Sequence, residues 1–359
     1  MKKINFCSGP AILPQSVYVD AQRSLLDFKD TGLSILELSH RSIYIVDMIE
    51  ETKALVKELV YISDEYEILF LHGGASMQFC MIPYNFSLTN NTSIYTLTGQ
   101  WASNAYNEAK LFSETSILVD SSNQNFSYLP YIEEKYSFDN SNYIHFTSNN
   151  TIYGTQWKSF PKCNIPLIVD MSSDIFSKKI EVNNFDLIYA GAQKNLGAAG
   201  VCMVIIKKAM LEKQNKNIPT MLDYAVHVKN NSSFNTPPVF AIYTCLLNLQ
   251  WLKMQGGVEK IEEVNNKKAA VLYNEIERNS LFECVVKNEK DRSIMNAVFV
   301  AKNNDIEKSF KKFCLENGIV GIDGYRTVGG FRASLYNALP LESVETFVEM
   351  MKNFETNHA

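Results

Sequence analysis

One lysine, Lys194, stands in YAGAQKNLGAAG (189–200), between an apolar run and a glycine-rich turn. A buried ammonium is costly unless it is paired, neutralised or used chemically. Three further features precede it. Gly73-Gly74-Ala75-Ser76 leads into an apolar helical stretch, where free backbone N–H groups suit an anion, although an ordinary tight turn reads the same way. Trp101 opens a helix directly after Thr98-Gly99-Gln100 and offers either packing or a stacking face. Asp170 ends PLIVD, where an apolar strand delivers a carboxylate as a catalytic group or a helix cap. Lys194 lacks the GxxxxGK[ST] context of a nucleotide P-loop, which disfavours simple phosphate clamping. One chemistry uses these parts in this order. A lysine amine condenses with the aldehyde of pyridoxal phosphate, and a carboxylate keeps the pyridine nitrogen protonated. An aromatic face covers the ring, while glycine-rich backbone and hydroxyls hold the phosphate. Each part alone is weak; the ordered set is specific.

The elements that must position these residues follow a rhythm from residue 67: EILFLHGG, SIYTLTG, SILVD, YIHFTSN, PLIVDMSS, DLIYAGA and VCMVIIKK. These short, nearly continuous apolar runs suit strands buried on both faces. Segments 76–86 and 101–113 between them suit helices. The alternation predicts a largely parallel α/β sheet with ligands at the carboxyl ends of its strands. Upstream, 44–62 forms an amphipathic helix with Ile45, Ile49, Leu55 and Leu59 on one face. Downstream, one helix runs from after Pro238 to Gly256-Gly257, and another continues to about residue 279. FECVVK, SIMNAVFVA, a helix near 306–317, FRASLY and a terminal helix from about 341 then give a smaller α+β lobe. The expected division is a large domain at 16–262 and a small one at 263–359, joined by residues 1–15. Asn/Ser-rich pieces at 121–127 and 230–235 are loops.

Composition narrows the setting. The 359 residues, 46% apolar and 20% charged, can bury a large core. A net charge of −5 disfavours nucleic acid or an anionic membrane as the main partner. Seven scattered cysteines without a CxxC pair argue against a disulfide framework or a zinc site and fit a reducing compartment. No signal-peptide pattern or apolar stretch of about 18 residues stands out. The expectation is a cytoplasmic protein without a metal.

Several longer stretches carry a family resemblance: NFCSGPAILP, ILELSHRS, LHGGASMQF, TGQWA, SNNTIYGTQW, VDMSSD, YAGAQKNLG, SFNTPPVFAIY and GGFRASLYNA. Over essentially its full length the chain resembles the phosphoserine aminotransferases, within the class V, fold-type I pyridoxal-phosphate enzymes. The resemblance implies an aspartate-aminotransferase-like large domain, a small C-terminal domain and a homodimer. It also implies ping-pong amino transfer from L-glutamate to 3-phosphohydroxypyruvate, giving phosphoserine and 2-oxoglutarate. By position, Lys194 is then the Schiff-base lysine and the base that moves the Cα proton, and Asp170 partners the pyridine nitrogen. Trp101 stacks on the ring and Thr151 lies within polar reach of it. Ala75, Ser76 and Gln193 bind the cofactor, with Asn235 and Thr236 reaching its phosphate from the other subunit. Substrate contacts fall on Ser8, His40, Arg41, Arg326 and Arg332. Two separated guanidinium sites suit substrates with two anionic ends, because arginine pairs bidentately with carboxylate or phosphate.

One departure stands out. The family commonly carries His-Arg before the Val-Gly-Gly turn, whereas this chain has Tyr325-Arg326. A tyrosine hydroxyl can still hydrogen-bond phosphate but brings no positive charge. Cys7 reads as packing, and His72 and His145 as structural. The alternatives are another class V activity, alanine–glyoxylate transamination or cysteine desulfuration, and a cofactor-binding protein without catalysis. A desulfurase needs a reactive cysteine on a mobile loop, whereas Cys284 and Cys314 fall in a predicted strand and helix.

Overall fold

The apolar runs between residues 66 and 207 assemble into one seven-stranded sheet in a computed structural model that describes residues 3–88, 90–215, 217–326 and 328–358. In chain order the strands are β1 (Tyr66–Leu71), β2 (Thr92–Leu97), β3 (Thr115–Asp120), β4 (Ser141–Thr147), β5 (Leu167–Asp170), β6 (Leu187–Gly191) and β7 (Cys202–Lys207). Across the sheet the order is β1-β7-β6-β5-β4-β2-β3. β7 runs antiparallel to both neighbours, and every other pairing is parallel.

Alternate residues of each strand enter two different cores, so both faces must be apolar. Ile68, Phe70, Val169 and Ile188 join the core covered by helices Ile43–Leu59 and Val239–Met254. Leu69, Leu71, Ile168 and Tyr189 face the opposite core, under helices Gly74–Phe86 and Gln100–Ala109. SILVD is the exception. It forms β3, the sheet edge, with Ile117 43% exposed, because an apolar run alone does not separate an edge strand from a central one. The helix expected over 101–113 stops at Ala109, and the chain turns through Phe112. The helix expected from 76 begins at Gly74, after Gly73 and Gly74 turn the chain with φ of 86° and 62°.

Beyond residue 280, strands β8 (Phe282–Cys284), β9 (Asn296–Ala301) and β10 (Phe331–Ser334) form an antiparallel sheet in that order. It packs with helices Asn304–Glu316 and Leu341–His358 around Phe282, Phe299, Phe310, Phe331 and Phe347. The N-terminal arm belongs to this core: Ile4–Asn5 pairs in parallel with Ile319–Val320, and Phe6 is fully buried there. Helix Gly257–Arg278 serves both lobes. Val258 and Ile261 enter the large-sheet core, whereas Ala269, Leu272 and Ile276 enter the small one.

Candidate active site

The parallel strands point their carboxyl ends at one region, and the polar residues that end them meet there. A cavity of about 520 Å³ is lined by Ser8, Ala75, Ser76, Trp101, Thr151, Asp170, Gln193, Lys194 and Arg332. Gly74–Ser76 begin a helix, so their backbone N–H groups have no acceptor one turn earlier. Trp101 sits in the first turn of the next helix, which follows β2. Asp170 is the last residue of β5, and Lys194 follows β6 in the adjacent connection.

Asp170 is 5% exposed. Burial pushes its carboxyl above the ordinary range, while the nearby Lys194 charge and the Ser172 backbone N–H pull it down. That N–H donates to Asp170 Oδ1 at 2.8 Å, so the carboxylate caps its own turn while facing the cavity. The Ser172 hydroxyl accepts from the Gly191 N–H at 3.0 Å, tying the aspartate turn to the strand that leads to Lys194. Lys194 Nζ donates to Thr151 Oγ1 at 3.2 Å. Desolvation lowers the Lys194 pKa to about 8; Asp170 opposes the shift and Arg332 adds to it. Arg332 Nη1 in turn donates to the Thr151 carbonyl at 3.4 Å. Two lobes thus meet at Thr151, with the lysine on one side and the guanidinium on the other.

The N-terminal arm closes the site. The Ala11 N–H donates to the Gln193 carbonyl at 2.9 Å, and the Tyr336 hydroxyl donates to the Ser8 carbonyl at 2.9 Å. Cys7 lines the cavity beside Ser8, which corrects its reading as packing alone. Tyr325 also lines the wall, on the side of Arg332. Thr147, Asn149, Ser172 and Ser173 were missed by sequence reasoning. Thr147 and Asp170 are direct cross-strand partners, so parallel pairing of β4 with β5 was the signal that could have found the former. Asp174, a buried carboxylate four residues beyond Asp170, was missed too. It takes hydrogen bonds from Ser148 and from Gln156.

Five expected site residues are not in the wall of this single-chain cavity: His40, Arg41, Asn235, Thr236 and Arg326. Arg41, Thr236 and Arg326 are exposed, whereas His40 and Asn235 are half-buried. His145 is structural: it stacks on Tyr95, bonds the Tyr189 hydroxyl at 3.0 Å, and burial lowers its pKa to about 3. His72, by contrast, is exposed and outside the cavity. Cys284 and Cys314 are buried in strand and helix, and desolvation raises their thiols to about 11 and about 12.

The donor set fits pyridoxal phosphate. An amine, a buried carboxylate, an indole face and free helix N-terminal N–H groups surround one cavity. Two of its lining residues carry buried polar atoms without a hydrogen-bond partner, Thr147 Oγ1 and Arg332 Nε. Among the described residues no cluster suits a metal ion.

Comparison with known proteins agrees in kind. The model of the aminotransferase class-V family matches residues 4–347. Phosphoserine aminotransferase of Flavobacterium psychrophilum is 52% identical over 357 residues, 99% of each chain. The solved phosphoserine aminotransferase of Bacillus circulans subsp. alkalophilus superposes with a TM-score of 0.96 at 42% identity, covering 100% of this chain and 99% of that one. A PLP-bound phosphoserine aminotransferase from Trichomonas vaginalis gives 0.91 at 33% identity, covering 98% and 100%.

Proposed function

The chain belongs to the aminotransferase class-V family, and we propose that the cavity at its strand ends is where it works. The reaction is transamination between L-glutamate and 3-phosphohydroxypyruvate, giving O-phospho-L-serine and 2-oxoglutarate in serine biosynthesis. The fold is that of the fold-type I aminotransferases, and pyridoxal phosphate is the cofactor. The observation that carries the site reading is the convergence of Lys194, Asp170 and Arg332 on one cavity.

When bound, pyridoxal phosphate supplies an aldehyde and an electron-withdrawing ring that takes up charge released at Cα. Asp170 holds a proton at the pyridine nitrogen. Gly74–Ser76 N–H groups receive the phosphate, Trp101 covers the ring face, and Gln193 and Thr151 fix its polar edge. Arg332 grips the α-carboxylate common to both amino acids. The Lys194 amine moves the proton at Cα; with a pKa lowered to about 8 it is a far better base at neutral pH than an ordinary lysine. Tyr325, in the cavity wall near Arg332, offers a neutral hydroxyl to a substrate anion.

The five residues outside the wall complete the site in a homodimer. Asn235 and Thr236 reach the neighbouring subunit's phosphate, while His40, Arg41 and Arg326 form the distal-anion site across the interface. Exposed apolar side chains support this arrangement. Leu36, Ile43 and Tyr44 flank His40-Arg41, and Phe234 precedes Asn235. The domain division at 262/263 is supported by helix Gly257–Arg278 passing between two cores. A cytoplasmic location is supported by seven free cysteines. Cys284 and Cys314 are buried with raised pKa values, so neither suits desulfuration, and transamination is favoured by the full-length relative of 52% identity named phosphoserine aminotransferase. Paired assays of phosphoserine and serine as amino donors test the reading: phosphoserine should be strongly preferred, and equal kcat/KM would remove the distal-anion assignment.

A further inference from the structure

Helix Gly257–Arg278 carries a lysine, Lys268, that is fully buried where the two lobes meet. Its ammonium donates to three backbone carbonyls of a single turn: Leu335 at 2.9 Å, Tyr336 at 2.8 Å and Leu339 at 3.1 Å. Among the described residues no carboxylate pairs with it. A charge buried without a counter-ion is a poor device for stability alone, because well-packed apolar side chains usually serve better. Three inward carbonyls on one turn, however, need a multivalent donor, and an ammonium has three N–H groups.

The caged turn adjoins the site on two sides. It directly follows β10, the strand that carries Arg332. From it the Tyr336 hydroxyl holds the Ser8 carbonyl, and the Asn337 N–H donates at 3.0 Å to Asn195 Oδ1, next to Lys194. We propose that Lys268 is a positioning residue for substrate, fixing this turn so that Arg332 presents its guanidinium to the α-carboxylate in register with Lys194. The inference rests on the reading of Arg332 as the α-carboxylate site. Loosening the cage leaves the chemistry in place but misaligns the grip shared by every amino acid substrate. A misplacement of about 1 Å can cost about a hundredfold in kcat/KM, and here the loss falls mainly on KM because the misplaced group binds rather than reacts.

The test compares Lys268→Met, Lys268→Gln and Lys268→Arg holoenzymes at matched cofactor content. Lys268→Met is expected to raise KM for glutamate and phosphoserine by the same factor, about ten- to a hundredfold, with a smaller change in kcat. Lys268→Arg, which keeps charge and donors, should recover most of that loss. In an Arg332→Ala background the same Lys268→Met change should alter kcat/KM by no more than about twofold, since the group it positions is gone. If Lys268→Met does not accumulate folded, Lys268→Gln, with two N–H donors, carries the test with an intermediate rise in KM. Wild-type KM in the Met and Gln variants, or full multiplication of losses in the double variant, overturns the proposal while the Arg332 reading stands. Unchanged KM in Arg332→Ala alone overturns both.

Discussion

Lys194 should behave as a lysine poised near neutrality even before cofactor binds. Desolvation lowers its pKa from 10.5 to about 8, with Asp170 pulling it back up and Arg332 pushing it further down. At pH 7 the neutral amine is then about 9% of the population instead of about 0.03%, a gain of about 300-fold in nucleophile and base. The assay is modification of cofactor-free protein by trinitrobenzenesulfonate across pH 6–11, with Lys194 resolved by peptide mass mapping. Half-maximal reactivity is expected near pH 8. Asp170→Asn removes the attractive charge and should move the midpoint down, and Arg332→Ala removes a repulsive one and should move it up. Linkage fixes a second sign. Between about pH 8 and 10.5 the unfolded chain binds the proton that the folded one has released, so this group's contribution to stability rises with pH across that window. A Lys194 midpoint above pH 10, or no response to either substitution, would refute this account of the site's electrostatics.

Further expectations concern the substrates, the assembly and the fold. Arg332→Ala should lower kcat/KM for glutamate, phosphoserine and alanine alike, by about ten- to a hundredfold for one lost charge-assisted contact, whereas Arg41→Ala should spare alanine, which has no distal anion. Equal losses for alanine and phosphoserine in Arg41→Ala would show that Arg41 does not read the distal group. Dilution below the dimer dissociation constant should release cofactor and activity together, and a fully active monomer in the ultracentrifuge would contradict the shared phosphate site. Gly197→Ala should destabilise by about 1–3 kcal/mol in thermal unfolding, because its Cβ would meet the Cys245 backbone nitrogen at 2.9 Å. An unchanged midpoint would show that helix Val239–Met254 yields freely at that contact.

Much of this was legible because every strand of the large sheet except the edge strand β3 is largely buried and therefore writes a nearly continuous apolar run. Asp170 and Lys194 were legible for the same reason: a polar residue that ends such a run falls where parallel strands place ligands. Antiparallel β7 was not legible, since VCMVIIKK differs in no way from its parallel neighbours; its direction is fixed by the short return after Gly191 that pairs Gly191 with Cys202. The edge position of β3 was equally hidden, because it depends on strand order rather than composition. Thr147 and Asp174 escaped notice because their place beside Asp170 depends on register and on a turn, neither of which leaves a local signature. Lys268 escaped for a different reason. In NNKKAAVLYNEI it looks like an ordinary solvated lysine, and only the return of residues 335–339 across the helix buries it.

The most direct measurement is the stoichiometry of the isolated half-reactions. Holoenzyme mixed with L-glutamate alone should release one 2-oxoglutarate per active site and stop. After removal of glutamate, addition of 3-phosphohydroxypyruvate should yield one phosphoserine per site and return the starting absorbance, and Lys194→Ala should perform neither step at a comparable rate. Wild-type-like half-reactions in Lys194→Ala, or glutamate consumed without equivalent keto acid, would contradict the assignment of Lys194 as the group that moves the Cα proton in an amino-transfer site.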